Sequence, residues 1–195
     1  MHATDPYSPG LSLQSEGGLE RLGERLREIG GEIGRLELAR MEAILAEPER
    51  TAEGVRDAIS TRLMEVFKKA RSRGCFGLLY ELNGQHLATQ VASRLRRYAS
   101  KADAGDVLQE VFFNVYRYPH RFNSTREDAF RVWSAMIVRN TVLKHLRSLS
   151  RGGRAEVAFD ALPDQPAPGS PSPLSGAIES ESRRECARVY LTYLQ

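Results

Sequence analysis

The sequence predicts an all-α protein, and two observations carry that prediction. Apolar residues recur at three- and four-residue spacing along most of the chain from residue 19 to residue 151. Caps, glycines and prolines punctuate that spacing at intervals of about one helix length.

At 195 residues the chain has room for one good-sized domain or two small ones, and enough length to bury a real core. Its 41% hydrophobic and 27% charged content is ordinary for a soluble protein. The net charge is only +3, so a nucleic-acid signal must come from local clustering of cations. Cys75 and Cys186 are far apart and lack CxxC spacing, which fits a reduced cytoplasmic protein. His2, His86, His120 and His145 share no metal-ligand spacing, so neither a metal nor a cofactor is expected. The N-terminus lacks the basic and apolar regions of a signal peptide, and no apolar run reaches the roughly 18 residues of a membrane span.

Residues 1–18, rich in Gly, Ser and Pro, predict a disordered tail. Leu19, Leu22, Leu26, Ile29, Ile33 and Leu36 then form one helical seam, weakened by Gly23, Gly30, Gly31 and Gly34. After a break near Pro48, Thr51 caps a second helix with Val55, Ile59, Leu63, Val66, Phe67 and Ala70 on one stripe. Each helix alone would leave its stripe in water, so residues 19–74 read as a helical hairpin extension. The leucine seam is either that hairpin's core or a dimerisation face.

Residues 75–154 read as one domain, helix after helix. "FGLLYELN" sets Phe76, Leu79 and Leu82 on one side and is expected to stop at Asn83-Gly84. "QHLATQVASRLRRYAS" carries Leu87, Val91, Leu95 and Tyr98. "DAGDVLQEVFFNVYR" follows, with Asp103 as its cap. Its buried side is Ala104, Val107, Leu108, Val111, Phe112 and Val115, which turns Asp106, Gln109, Glu110, Phe113 and Arg117 toward water. An apolar anchor rimmed by acids and an amide makes a plausible protein-docking patch, although single exposed hydrophobes are common. Past a turn-rich loop, in which Ser124 or Thr125 before Glu127 resembles a capping signal, a long helix from Phe130 runs to Gly152-Gly153.

Projected at 100° per residue, that helix divides into two faces. Val132, Ala135, Met136, Val138, Val142, Leu143, Leu146 and Leu149 are expected to face a core. Phe130, Trp133, Ile137, Asn140, Lys144, Arg147 and Arg151 are expected to line the other side. Six Arg or Lys residues and no acid occur from Arg131 to Arg154. Rings beside cations suit unstacked bases and their phosphates, and Asn140 offers an amide to a base edge. The alternative is that the rings are core and the cations a solvated face.

Two motifs in this order resemble domain 2 of the bacterial RNA polymerase sigma factors, most of all the small extracytoplasmic-function (ECF) type. The family's Asp-Ala-Glu-Asp-Val-x-Gln-Glu-x-Phe helix is matched by Asp103, Ala104, Gly105, Asp106, Val107, Gln109, Glu110 and Phe112. Its Trp-Leu-x-x-Ile-Ala-Arg-Asn helix is matched by Trp133, Ser134, Ile137, Val138, Arg139 and Asn140, and "FGLLYE" is similar to its opening helix. The resemblance covers roughly residues 75–151 and implies a helical bundle. It implies that Asp106, Gln109, Glu110 and Phe113 bind the clamp helices of the polymerase largest subunit. It also implies that Arg139 and Asn140, and more loosely Lys144, Arg147 and Arg151, hold the melted −10 element of promoter DNA. The loop from His120 to Asp128 would help read a flipped base, and Trp133 would serve melting or core packing. Gly105 stands where an acid is usual, Ser134 where Leu is usual, and Lys144 where Asp is common.

Residues 155–176 are dense in Pro, Ser and Gly and predict a flexible linker. Residues 177–195 are helix-like, with Ile178, Cys186, Val189, Tyr190 and Tyr193 on an apolar face. They resemble only the entry helix of sigma domain 4, so that domain is expected to be truncated or absent. The functional expectation is a non-enzymatic transcription factor. It would bind core RNA polymerase, melt the −10 element and answer to an anti-sigma factor. Its rivals are a polymerase-binding module that initiates nothing and an enzyme of nucleic-acid metabolism.

Overall fold

The computed structural model describes residues 11–152, with side chains described through residue 149. All regular structure among them is helical: α1 (Gly18–Glu28), α2 (Gly30–Ile33), α3 (Arg35–Leu45), α4 (Ala52–Ala70), α5 (Arg73–Arg97), α6 (Ala104–Arg117), a 3-10 turn (Pro119–Arg121) and α7 (Ala129–Gly152). The predicted linker over 155–176 and the helix over 177–195 lie outside the described residues, as do residues 1–10.

Helices α4 to α7 form a four-helix body. Thr51 caps α4 by accepting from the Gly54 N–H, and Ser72 caps α5 by accepting from the Cys75 N–H. Phe76 meets Tyr116 at 5.1 Å between ring centroids and Tyr80 meets Phe112 at 4.6 Å, so α5 and α6 run antiparallel. Asn114 donates to Thr141 at 3.2 Å, and Glu110 meets Lys144 and His145, so α6 and α7 are antiparallel too. Both α4 and α5 also pack on α7, which closes the body around one core. Fully buried Phe67, Phe122, Phe130, Ile59, Leu63, Met64 and Leu79 fill it. Burying each such side chain contributes roughly 1.5–3 kcal/mol.

The N-terminal segment departs from the expected hairpin. Its seam does not form one helix: Ile29 ends α1, α2 is a single turn, and Gly34 at φ 85° reverses the chain into α3. A side chain at Gly34 would be strained in that left-handed conformation. Leu22, Leu26 and Ile33 are buried with Met41 and Ile44 of α3, while Leu19 and Leu36 stay exposed. The seam is therefore core between α1, α3 and the body. The disordered tail expected over 1–18 also ends early. Leu11 donates its N–H to the Glu81 carbonyl at 3.0 Å, Leu13 packs on the core, and Gly18 already belongs to α1.

Two polar contacts tie this layer to α5. Arg25 pairs with Glu81 at 2.7 Å, and the Glu32 carboxylate accepts from Ser72 Oγ at 2.6 Å and the Gly74 N–H at 3.1 Å. Gly74 is needed there because a Cβ would stand 2.8 Å from Ile29 Cγ2 and 2.9 Å from Glu32 Oε1.

Two helices expected over 76–98 are one. At Asn83-Gly84, where a stop was predicted, α5 continues without a break. The Asn83 amide is buried and donates to Leu79 O at 2.9 Å and to Ser60 Oγ of α4 at 2.8 Å. A residue that favours turns when solvated is held in the helix by those two acceptors.

Candidate functional site

The Asp103 carboxylate caps α6 by accepting from the Gly105 N–H at 2.6 Å and the Asp106 N–H at 3.3 Å. Gly105 therefore sits within a well-capped first turn. Asp106 and Gln109 are exposed on the outer side of the helix, as expected. Phe113 is not: it is 6% exposed and belongs to the core, with the Arg117 guanidinium 5.9 Å from its ring centroid. The expectation that Phe113 faces water is thus corrected. α6 packs on both α5 and α7, so its buried arc is wider than one stripe and takes in position 113.

Glu110 is half-buried and turned toward α7. It pairs with Lys144 Nζ at 2.6 Å and with His145 Nε2 at 2.8 Å. Burial opposes its ionisation, yet the bonds from Lys144 and His145 outweigh that and hold its carboxyl below the ordinary carboxylate range. A residue expected to bind polymerase is therefore paired with one expected to bind DNA, and the two faces join at this contact.

The helix α7 is rotated by roughly a quarter turn from the expected orientation. Phe130 is fully buried and Trp133 is 9% exposed, and both pack against Phe122 from the preceding loop, Trp133 at 5.4 Å between centroids. Val138, Val142 and Leu146 complete the buried side as predicted. Val132 and Met136, expected in the core, are each 51% exposed, and Leu149 is exposed as well. The outward line is thus Val132, Met136, Arg139, a partly covered Leu143 and Arg147, with Asn140 and Lys144 beside it. For Trp133, left open between promoter melting and core packing, the ring sits in the core against Phe122 and Phe130. Burying the two rings removes about 150–250 Å² each from water, more than Val132 and Met136 would have removed.

Arg139, Asn140, Lys144 and Arg147 are all exposed, as expected for contacts with a polyanion. Arg151 lies in the last turn of α7, and its side chain is outside the described residues. The outer face carries no acid along residues 129–149. This is an electropositive strip with apolar side chains at its start, and the exposed acid of α6 lies on the neighbouring helix.

The loop before α7 is held from α4 rather than by its own cap. Thr61 Oγ1 donates to the Glu127 carbonyl at 2.7 Å and accepts from the Phe130 N–H at 3.1 Å, so a side chain of α4 caps α7. Ser124 bonds Glu65, and the Glu127 carboxylate pairs with Arg50 at 2.9 Å. The capping signal read at Ser124 or Thr125 is thereby replaced. Nothing in the sequence announced Thr61, whose role depends on a partner far along the chain. His120, Arg121, Asn123, Thr125 and Arg126 remain exposed on this loop.

Among the described residues no cluster of three or more metal-binding side chains occurs, and no helix is long and apolar enough to cross a membrane. Cys75 is a buried free thiol whose ionisation burial discourages.

Residues 79–152 match the family model for sigma-70 region 2. That segment holds most of α5 and all of α6 and α7. No curated protein and no solved structure matches the chain.

Proposed function

We propose, taking residues 79–152 as a sigma-70 region 2, that this protein is a sigma factor of the ECF type. It binds core RNA polymerase and helps open promoters at the −10 element, as a binding subunit with no catalytic centre of its own. One observation carries the reading most. The exposed acid and amide of α6 stand beside an acid-free basic face of α7, and Glu110–Lys144 joins the two helices at 2.6 Å. A protein-docking surface and a polyanion-binding surface are thereby held in fixed relation, which a promoter-opening subunit requires.

On this reading Asp106 and Gln109 contact the polymerase clamp helices, with Glu110 orienting α6 through its pair with α7. Arg139, Asn140, Arg147 and Arg151 take promoter DNA. Lys144 serves both surfaces. Phe113 and Trp133 support their helices from the core. An anti-sigma factor fits the same reading, because covering either face would silence the protein.

Run-off transcription with reconstituted core polymerase on templates covering a set of candidate promoters tests the proposal. Defined starts that require the added protein are expected. Polymerase co-purification without any start would instead favour a polymerase-binding module that initiates nothing.

A further inference from the structure

The antiparallel packing of α5 on α6 and of α6 on α7 brings the C-terminal ends of α5 and α7 to one end of the body. Seven residues of α7 follow His145 and six of α6 precede Glu110, which at 1.5 Å per residue are about 10 Å and 9 Å. The last turn of α7, with Arg151, therefore heads toward the end of the body where α6 begins, the end at which the turn closing α5 also lies.

That turn is basic and built in an unusual way. From Arg94 to Lys101 the sequence has four cationic residues and no acid. Arg96, Arg97 and Lys101 are exposed, and among the described residues no hydrogen bond or ion pair engages their side chains. Tyr98 is 40% exposed, and among the described residues it stacks on no other ring. Ala99 adopts φ 49°, a left-handed conformation that favours glycine, while Ser100 N–H closes the turn onto the Leu95 carbonyl at 3.0 Å. The two carboxylates next in sequence are the cap of α6, Asp103, and Asp106 in its first turn. The Asp103 carboxylate is turned onto the Gly105 and Asp106 amides, and Asp106 lies three residues further along the chain.

We infer that Arg96, Arg97, Tyr98 and Lys101 form a second nucleic-acid contact, taking phosphodiester groups of the same DNA that α7 engages. The inference rests on the sigma reading and extends it to an element assigned no role in it. Three exposed cations without partners among the described residues gain most by neutralising phosphates, and a tyrosine hydroxyl donates well to a phosphate oxygen. The strip along α7 runs toward the same end of the body as this turn, so a strand followed past Arg147 is carried toward these cations.

The test uses the full chain bound to core RNA polymerase and a fluorescent DNA duplex with a short unpaired bubble, with anisotropy followed against KCl. Each phosphate contact contributes about 0.9 to the slope of log affinity against log salt. Replacing Arg96, Arg97 and Lys101 together by Gln should lower that slope by about 2 to 3, with polymerase co-purification and helical circular dichroism unchanged. An unchanged slope in this variant, while Arg139→Gln with Arg147→Gln lowers it, would overturn the inference and leave the sigma reading standing. Loss of polymerase binding at unchanged slope would overturn it too, by making the turn a protein-docking site. Failure of the unsubstituted chain to join polymerase would refute the reading and the inference with it.

Discussion

Single residues carry more of this structure than their number suggests. Ala99 holds a left-handed conformation that costs on the order of 1 kcal/mol in a residue with a Cβ. Ala99→Gly should therefore stabilise the protein by about 0.5–1 kcal/mol, read as a higher urea midpoint at unchanged m-value. Arg71, at φ 54°, is a different case. Its guanidinium lies 5.0 Å from the Phe67 ring and 4.9 Å from the Tyr116 ring, and it donates to the Tyr116 carbonyl at 2.9 Å. Those contacts offset the strain, so glycine would gain nothing there. Trp133 separates core from contact. Trp133→Ala should cost about 3–5 kcal/mol of stability, whereas a ring used only on DNA would leave thermal unfolding unmoved. Glu110 gives the pH dependence. Its carboxyl ionises more readily folded than unfolded, so its contribution is complete above the ordinary value of 4.5 and is lost as pH falls through the lower folded value. Glu110→Gln should flatten the acid limb of the stability–pH curve, measured by denaturant titration at stepped pH.

At the scale of elements, the pairing of α6 with α7 decides how the docking face can be tested. Reversing Glu110 would break the contact with Lys144 and His145 as well as any contact with a partner. Asp106→Arg with Gln109→Ala touches only exposed positions. It should abolish co-purification with core polymerase while the melting temperature stays within a degree or two, since surface substitutions usually fall within about 0.5 kcal/mol. How far the helices could be read in advance differs for physical reasons. The cap at Asp103 and most of the buried arc of α6 were legible, because capping and periodicity are local. Phe113 was misjudged because a helix packed on two neighbours buries a wider arc than a single stripe. The rotation of α7 was illegible because Phe122, the ring that draws Phe130 and Trp133 inward, sits in a loop with no periodicity to place it. Asn83-Gly84 carried the residues of a stop signal, and Ser60, 23 residues earlier, cancelled it.

The whole molecule is organised around α4. It packs on α5 and α7 within the body and on α3 in the N-terminal layer, so the two layers share its buried side chains. An all-α fold with a helical N-terminal extension was legible; this sharing was not, since periodicity shows which side chains seek cover and not what covers them. Removing the layer would uncover one side of α4 and strip Glu32 from the start of α5. Gly74→Ala probes that junction with one methyl group. It should cost about 1–3 kcal/mol through the clash with Ile29 and Glu32, measured by thermal unfolding.

The bond between Asn83 and Ser60 carries one more consequence, for registration. Apolar seams between helices are nearly indifferent to sliding by a turn, because one leucine replaces another. A buried amide that must find a hydroxyl at 2.8 Å is not indifferent. Shifting α4 along α5 by one turn, about 5.4 Å, would part the two groups and forfeit that buried bond, at roughly 1–3 kcal/mol. The pair works as a key in a shaft: it indexes the N-terminal layer, which rides on α4, against the basic turn that α5 carries at its far end.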